Sequence, residues 1–416
     1  MRTSAVIVGA GPGGLAMSHE LARAGVDHVV LERGEVANSW KYERWDSLRL
    51  LTPNWMCGLP GFPYDGPDPD GYMTAAETAA FVDRYRARID APVHTGVTVE
   101  RVRRTGAGFT VATSAGVWQC DTVVAASGGS SEPRVPDLAA AFPACVQQLT
   151  ALAYRRPEQL VGDREVLVVG ASASGVQIAD ELRRSGRDVT IAAGEHVRLP
   201  RRYRGRDVYW WLNRIGQLDE RWDEVENLQR ARRHASVQLV GDDEGRDLDL
   251  HTLAAGAVRV VGRLSAVRSN TALCSGGLGA LVANADLKLA RLLRTIDEFV
   301  DAHMLDVEPP AAPVPSALPD APTELELADF STVIWATGHR PAFRWLDPAA
   351  FDRRGRIEHA GGVAAIPGLY VLGLPLLRRR RSNLIGGLGA DAVELAGDLR
   401  RHVDRRAAAR VGVAIA

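Results

Sequence analysis

Two stretches of this chain share one local plan: "AVIVGAGPGGLAMSHEL" from Ala5 to Leu21, and "EVLVVGASASGVQIADEL" from Glu165 to Leu182. Each reads as a short apolar strand, a glycine turn and an amphipathic helix. In the first, Gly9, Gly11 and Gly14 hold the spacing in which one glycine turns the chain, the next admits a phosphate to the backbone, and the third lets helix and sheet pack closely. Pro12 and Gly13 complete this cradle. In the second, Gly170 and Gly175 keep the outer positions, Ser172 replaces the middle glycine, and Ala173 and Ser174 fill the turn. The positive end of each helix then faces a pyrophosphate.

The strands that follow end differently. "HVVLERG" closes on Glu32, a carboxylate placed to accept hydrogen bonds from two ribose hydroxyls. The same interval counted from Gly175 reaches Ala193, just past "DVTIA", and no acid occupies that tip. An uncharged tip does not repel a 2′-phosphate, and the loop "EHVRLPRRYRGR" supplies Arg198, Arg201 and Arg202 to bind one, against the dissent of Glu195. The expectation is one pocket for FAD and one for NADPH. The fold class expected is α/β, with two Rossmann-like dinucleotide-binding domains.

Bulk properties exclude several alternatives. A chain of 416 residues with 46% hydrophobic content fills two cores, at roughly 100 to 200 residues per domain. With 50 basic against 51 acidic residues the net charge is -1, which argues against nucleic acid or a membrane surface as partner. Cys57, Cys120, Cys145 and Cys274 form no CxxC pair and no metal-ligand spacing, so no metal is expected. Met1 leads almost at once into the first strand, and no apolar run is long enough to span a bilayer, so a soluble cytoplasmic protein is expected. Oligomeric state, a homo-oligomer included, is left open.

Along the chain, the Trp-, Pro- and Gly-rich section from Val36 to Asp70 reads as a loop over a ligand. "TAAETAAFVDRYRARI" has helical spacing, with Thr74 and Glu77 as a capping box. "VTVERVRR", "GFTVATS" and "VWQCDTVVAAS" read as strands, the last running into Gly128. "STVIWATG" resembles that strand and ends at Thr337 and Gly338. "NADLKLARLLRTIDEFVDAHM" is a long amphipathic helix, and Glu308 to Pro322 a stiff proline-rich connector. "GLYVLGLP" and the glycine-opened helix from Gly386 return to the first plan, so the NADPH domain is expected to be inserted in the FAD domain. The boundaries expected are 1–158, 159–322 and 323–416. The helix start at Gly387 and Leu388 would point its positive end at the flavin pyrimidine.

"GAGPGG" with Glu32, "NSWKYERWDSLRLLTP", "GYMTAAE", "GASASG", "WATGHRP" and "GLYVLG" together resemble the flavin-containing monooxygenase superfamily over nearly the whole chain. The resemblance implies FAD held by Glu32, Arg33, Trp40 and Val99, and NADPH held by Ser172, Ser174, Arg198 and Arg202. It also implies that Ala336 to Gly338 lies where the domains meet. Two departures bear on substrate: Thr150 stands where the family fingerprint between Phe142 and Tyr154 has a histidine, and Leu51 where members often have asparagine.

The activity implied is NADPH-dependent oxygenation of a small organic molecule by O2 through a C4a-peroxyflavin, by N- or S-oxygenation or Baeyer–Villiger insertion. Such chemistry requires no acid–base or nucleophile triad, and no catalytic side chain is assigned. Tyr203, Tyr209, Trp210, Trp211 and Trp55 are available to exclude water, although plain packing is the commoner role of such rings. The run Arg378 to Arg381 is read either as a solvated loop or as a seat for an anionic substrate. The alternatives retained are a disulfide-reductase-like enzyme, which needs a cysteine pair beside the flavin, and a nucleotide sensor without turnover.

Overall fold

A computed structural model describes residues 1–106, 108–232, 236–310, 318 and 320–415. The first apolar run becomes β1 (Arg2–Val8), with Ala5, Val6 and Ile7 fully buried. It leads into α1 (Pro12–Arg23), and β2 (His28–Leu31) then returns parallel to β1. The long connection after β2 contains the short helix α2 (Asn38–Tyr42) and then α3 (Ala75–Ile89). Thr74 and Glu77 cap α3 reciprocally, as the spacing predicts. β3 (Val93–His94) completes this side of the sheet.

Next comes an antiparallel meander of β4 (Val99–Thr105), β5 (Gly108–Thr113) and β6 (Gly116–Ala125). β6 is long enough to serve twice: it pairs antiparallel with β5, and its later residues run parallel beside β1. Strand Leu369–Val371 adds on its far side.

The second sheet repeats this plan. β9 (Glu165–Val169), α4 (Ala173–Arg184) and β10 (Val189–Ala192) follow one another, and Arg259–Val261 lies outside β10. A meander of Leu264–Arg268, Thr271–Cys274 and Glu324–Glu326 leads to Phe330–Trp335, which returns parallel to β9 as β6 does to β1. β8 (Gln147–Thr150) closes the parallel sheet. All of Phe330–Trp335 is buried, as a strand covered on both faces must be.

β8 precedes residue 158 and Phe330–Trp335 follows residue 322, yet both pair within the second sheet. The chain passes between the sheets where β7 (Glu132–Pro133) pairs antiparallel with His339–Arg340. The long amphipathic helix runs from Leu278 to His303, and the C-terminal helix from Leu388 to Ile415. The proline-rich reading of 308–322 falls largely outside the described residues.

Candidate functional site: two nucleotide cradles

The two glycine turns are the same object built twice. A Cβ on Gly14 would stand 1.8 Å from the Gly9 carbonyl oxygen, and one on Gly175 would stand 1.8 Å from that of Gly170. A Cβ on Gly9 (φ +108°) would lie 2.7 Å from the Ala126 carbonyl oxygen, and one on Gly170 (φ +109°) 2.4 Å from that of Ala336. No side chain fits at these four positions. Gly11, in contrast, faces open space.

Ser172 occupies the position of Gly11 in the second turn. Both are extended N-cap residues, at φ -81°, ψ -175° for Gly11 and φ -90°, ψ -172° for Ser172. The replacement therefore costs no backbone strain. Neither α1 nor α4 has a side-chain cap, so their first-turn N–H groups remain donors without an internal acceptor. Ser127 Oγ, beside Gly9, is likewise buried without a partner. An anion such as a pyrophosphate satisfies what both turns leave open, so these residues fit a dinucleotide.

The strand tips differ as the sequence predicts. Glu32 is buried at the end of β2, where its carboxylate accepts hydrogen bonds from Ala10 N (2.8 Å) and Gly34 N (3.0 Å). Two backbone donors fix the group and leave lone pairs for ribose hydroxyls. Gly96 N and Val97 N bond to the Gly34 and Glu32 carbonyls, which carries Val99, the first residue of β4, past this tip. Arg33 pairs with Glu43, and Trp40 packs half-buried on the first core under the Arg44 guanidinium. A Cβ on Gly13 would meet Leu388 Cδ2 at 3.5 Å, so the start of the C-terminal helix lies beside that of α1. Gly386 and Gly387 are required there, because a Cβ on either would lie 1.9 Å from a carbonyl, of Met56 and Arg381 respectively.

At the second tip Ala193 is bonded to the Val261 carbonyl, with no acid beside it. Thr337 N lies 3.4 Å from the Cβ position of Gly170. Gly338 (φ +92°) matches Gly128 (φ +82°), each following its own sheet's central-strand neighbour. Gly338 accepts a hydrogen bond from Arg134 N beside β7, so the "ATG" segment sits at the crossing between the two sheets.

Two of the three loop arginines are engaged within the protein. Arg198 is locked between Asp249 (2.5 Å) and Asp286 (2.7 Å), tying its loop to two helices. Arg201 is fully buried against Asp207, and Arg202 lies on a hairpin beside Gly245. Carboxylate partners account for the first two without any ligand. Instead Arg263, exposed and without an ion-pair partner among the described residues, has its Nε and Nη2 3.5 Å from the Cβ position of Gly194. It follows strand Arg259–Val261, whose pairing with β10 puts it at the uncharged tip. No count along the sequence finds it; only the strand order does.

The run Arg378 to Arg381 is neither a solvated loop nor an open anion seat. Arg378 pairs with Glu394 and Asp398, Arg379 with Asp391 and Glu394, Arg380 with Glu220, and Arg381 with Asp219. The charge is neutralised by the protein itself. The aromatic group divides. Tyr203, Trp210 and Trp211 pack on the long helix, with Trp211 Nε1 donating to the Tyr203 carbonyl at 2.6 Å. Tyr209 and Trp55 join Leu51, Met56, Leu212 and Leu384 in an apolar cluster leading to the C-terminal helix.

Tyr154 of the fingerprint segment is buried and donates to Glu181 at 2.8 Å. Phe142 packs edge-on to Trp335 at 5.2 Å, and Thr150 ends β8 opposite Trp335. All three support the second sheet. Of the cysteines, Cys57, Cys120 and Cys274 are buried and none is paired. Burial pushes the Cys57 thiol up to about 11, against a weaker opposing pull from the Thr52 hydroxyl. Among the described residues no cluster of His, Cys, Asp and Glu would hold a metal, and no helix is long and apolar enough to cross a membrane.

Two unlike pockets on two like cradles define a two-nucleotide oxidoreductase fold. The model of the pyridine nucleotide-disulphide oxidoreductase family matches residues 6–252, and the chain belongs to that family. It is 29% identical over 400 residues to an uncharacterized CzcO-like oxidoreductase of Geobacillus kaustophilus, covering 95% of this chain and 98% of that one. It is 26% identical to the indole-3-pyruvate monooxygenase YUCCA8 of Oryza sativa subsp. indica, covering 95% of this chain and 90% of the relative. Its fold matches that of a flavin-containing monooxygenase from Stenotrophomonas maltophilia with TM-score 0.67 at 21% identity, covering 96% of this chain and 99% of that one.

Proposed function

We propose that the chain is an NADPH-dependent FAD monooxygenase acting on a small organic molecule, by N- or S-oxygenation or Baeyer–Villiger insertion. The observation that carries this reading is the contrast between Glu32 at one strand tip and Ala193 with Arg263 at the other. The relatives named monooxygenases support it. In this reading the Gly9–Gly14 turn holds the FAD pyrophosphate, Glu32 its adenosine ribose, and the Gly387–Leu388 helix start the flavin pyrimidine. The Gly170–Gly175 turn holds the NADPH pyrophosphate, and Arg263 replaces Arg198 as the partner of the 2′-phosphate. Bound FAD would supply the redox chemistry, with NADPH as the two-electron reductant, O2 as the source of the transferred oxygen atom and water as the fate of the other.

The protein's own contribution is orientation and dryness. Met56, Tyr209, Leu212 and Leu384 form a wall from which water is excluded on the approach to the C-terminal helix. We further propose a two-domain division in which the NADPH unit includes β8 and Phe330–Trp335.

The test is spectroscopic. Purified protein is expected to show a flavin spectrum, to bleach on adding NADPH, and to consume O2. A screen of amines, sulfides and ketones should identify a substrate that accelerates NADPH oxidation without peroxide release. Protein that binds no flavin, or binds it and never oxidises NADPH in air, would overturn the reading.

The family name favours one rival, reduction of a disulfide. That chemistry needs a reactive thiolate, and the buried, high-pKa Cys57 has no cysteine partner to resolve it. Anaerobic NADPH oxidation driven by a small disulfide, lost in Cys57→Ser, would establish the rival instead.

A further inference from the structure

The connection from β10 to Arg259–Val261 leaves the second sheet and reaches across to the first domain. It is anchored at two places of unlike character. At one, fully buried Arg201 pairs with Asp207 at 2.7 Å and donates to the Leu51 carbonyl at 2.9 Å, while Tyr72 donates to Asp207 at 2.6 Å. At the other, the segment after α5 (Val208–Arg214) lies along the loop that precedes the C-terminal helix. Trp222 N donates to the Arg378 carbonyl (3.0 Å), Arg380 N donates to the Glu220 carbonyl (3.2 Å), and Arg221 bridges to Arg379. Arg380 pairs with Glu220, and Arg381 with Asp219 at 2.8 Å.

The exposures of these groups separate a fixed end from a movable one. The Arg201 side chain is 0% exposed and Asp207 15%. Breaking such a buried pair strands a charge in a poor solvent. Asp219 is 56% exposed and Glu220 36%, so their pairs are weak and are screened by salt. Nε of Arg378 and Arg381 is buried without an acceptor, and so is Nε of Arg201 at the root, so it is the exposure of the carboxylates that separates the two ends. Gly216 (φ +74°), with open space where a Cβ would be, stands between α5 and the weakly held segment. Beneath it Leu218 is buried in the cluster of Met56, Leu212 and Leu384, the last of these in the loop before the C-terminal helix.

We propose that Gly216–Trp222 is a strap across the two domains that pivots at Gly216, is latched by Asp219 and Glu220 on Arg381 and Arg380, and opens as a unit to uncover the apolar cluster below. Arg201, Asp207 and Tyr72 remain closed as its root. The inference concerns how the fold opens and stands whether or not the chain oxygenates anything.

Hydrogen exchange read by mass spectrometry on the protein as purified tests it. Raising NaCl from about 0.05 M to about 1 M should speed exchange in peptides covering 216–222 and 378–381 by about tenfold. Peptides covering β1 and the 201–207 hairpin should not change. The double variant Asp219→Asn, Glu220→Gln keeps side-chain size and should show the fast exchange already at low salt, with no further salt response. Exchange that ignores salt in the unmodified protein overturns the proposal, and this arm needs no variant to fold. A rise spread equally over β1 overturns it too, since that is general destabilisation.

Discussion

In the proposed reading Arg263 takes the role that chain order suggests for Arg198, and the exchange is testable one residue at a time. Arg263→Ala should raise KM for NADPH between about tenfold and a hundredfold, the loss of charge-assisted hydrogen bonds worth about 1.5–3 kcal/mol, and leave KM for NADH unchanged. Arg198→Ala should keep the preference for NADPH but lower stability by roughly 3 kcal/mol, because Asp249 is left buried and unpaired. Denaturant unfolding and initial rates with each coenzyme separate the two outcomes. Glu32 was legible because it follows its glycine turn through one local strand–helix–strand unit; Arg263 was not, because its distance from Ala193 closes only when the third strand docks beside β10.

A second residue-scale effect concerns pH. The His359 ring accepts a hydrogen bond from Gly362 N at 3.2 Å, which requires Nδ1 without a proton. Burial first, and the Arg232 charge second, lower its pKa to about 4. Its contribution is therefore complete above the ordinary value of 6.5 and is lost as pH falls toward about 4. His359→Gln should remove roughly 1–2 kcal/mol of acid destabilisation across that window, allowing for partial solvent screening. Urea midpoints of both proteins at neutral pH and near pH 4.5 measure it.

At the scale of elements, the clearest case is α3. Its capping box was readable because both partners lie within four consecutive residues, Thr74 to Glu77. Thr74→Ala should lower stability by about 1 kcal/mol and leave flavin content unchanged, as read by thermal unfolding and absorbance. The arginine run was read less well, for a reason general to charge runs. Its partners come from residues 219–220, far away in sequence, and from the C-terminal helix, whose inward face no local count identifies. A carboxylate brought by the fold neutralises a cation that looks free on paper.

At the scale of the whole molecule, the duplicated plan was visible in the two glycine turns, whereas the exchange of strands between sheets was not. β8 and Phe330–Trp335 have ordinary strand sequences, and nothing local says which sheet receives them. A fragment spanning 136–338 should unfold in one cooperative transition, since it holds all five parallel strands of the second sheet. One spanning 159–322 lacks β8 and Phe330–Trp335 and should show no such transition by circular dichroism. The repeated turns have a practical consequence for anyone altering this chain. Gly11 and Ser172 share a torsional state while differing in side chain, so each half carries a worked precedent for the other. The tolerance of each mould for the other's residues is therefore expected at this turn position, with no foreign template.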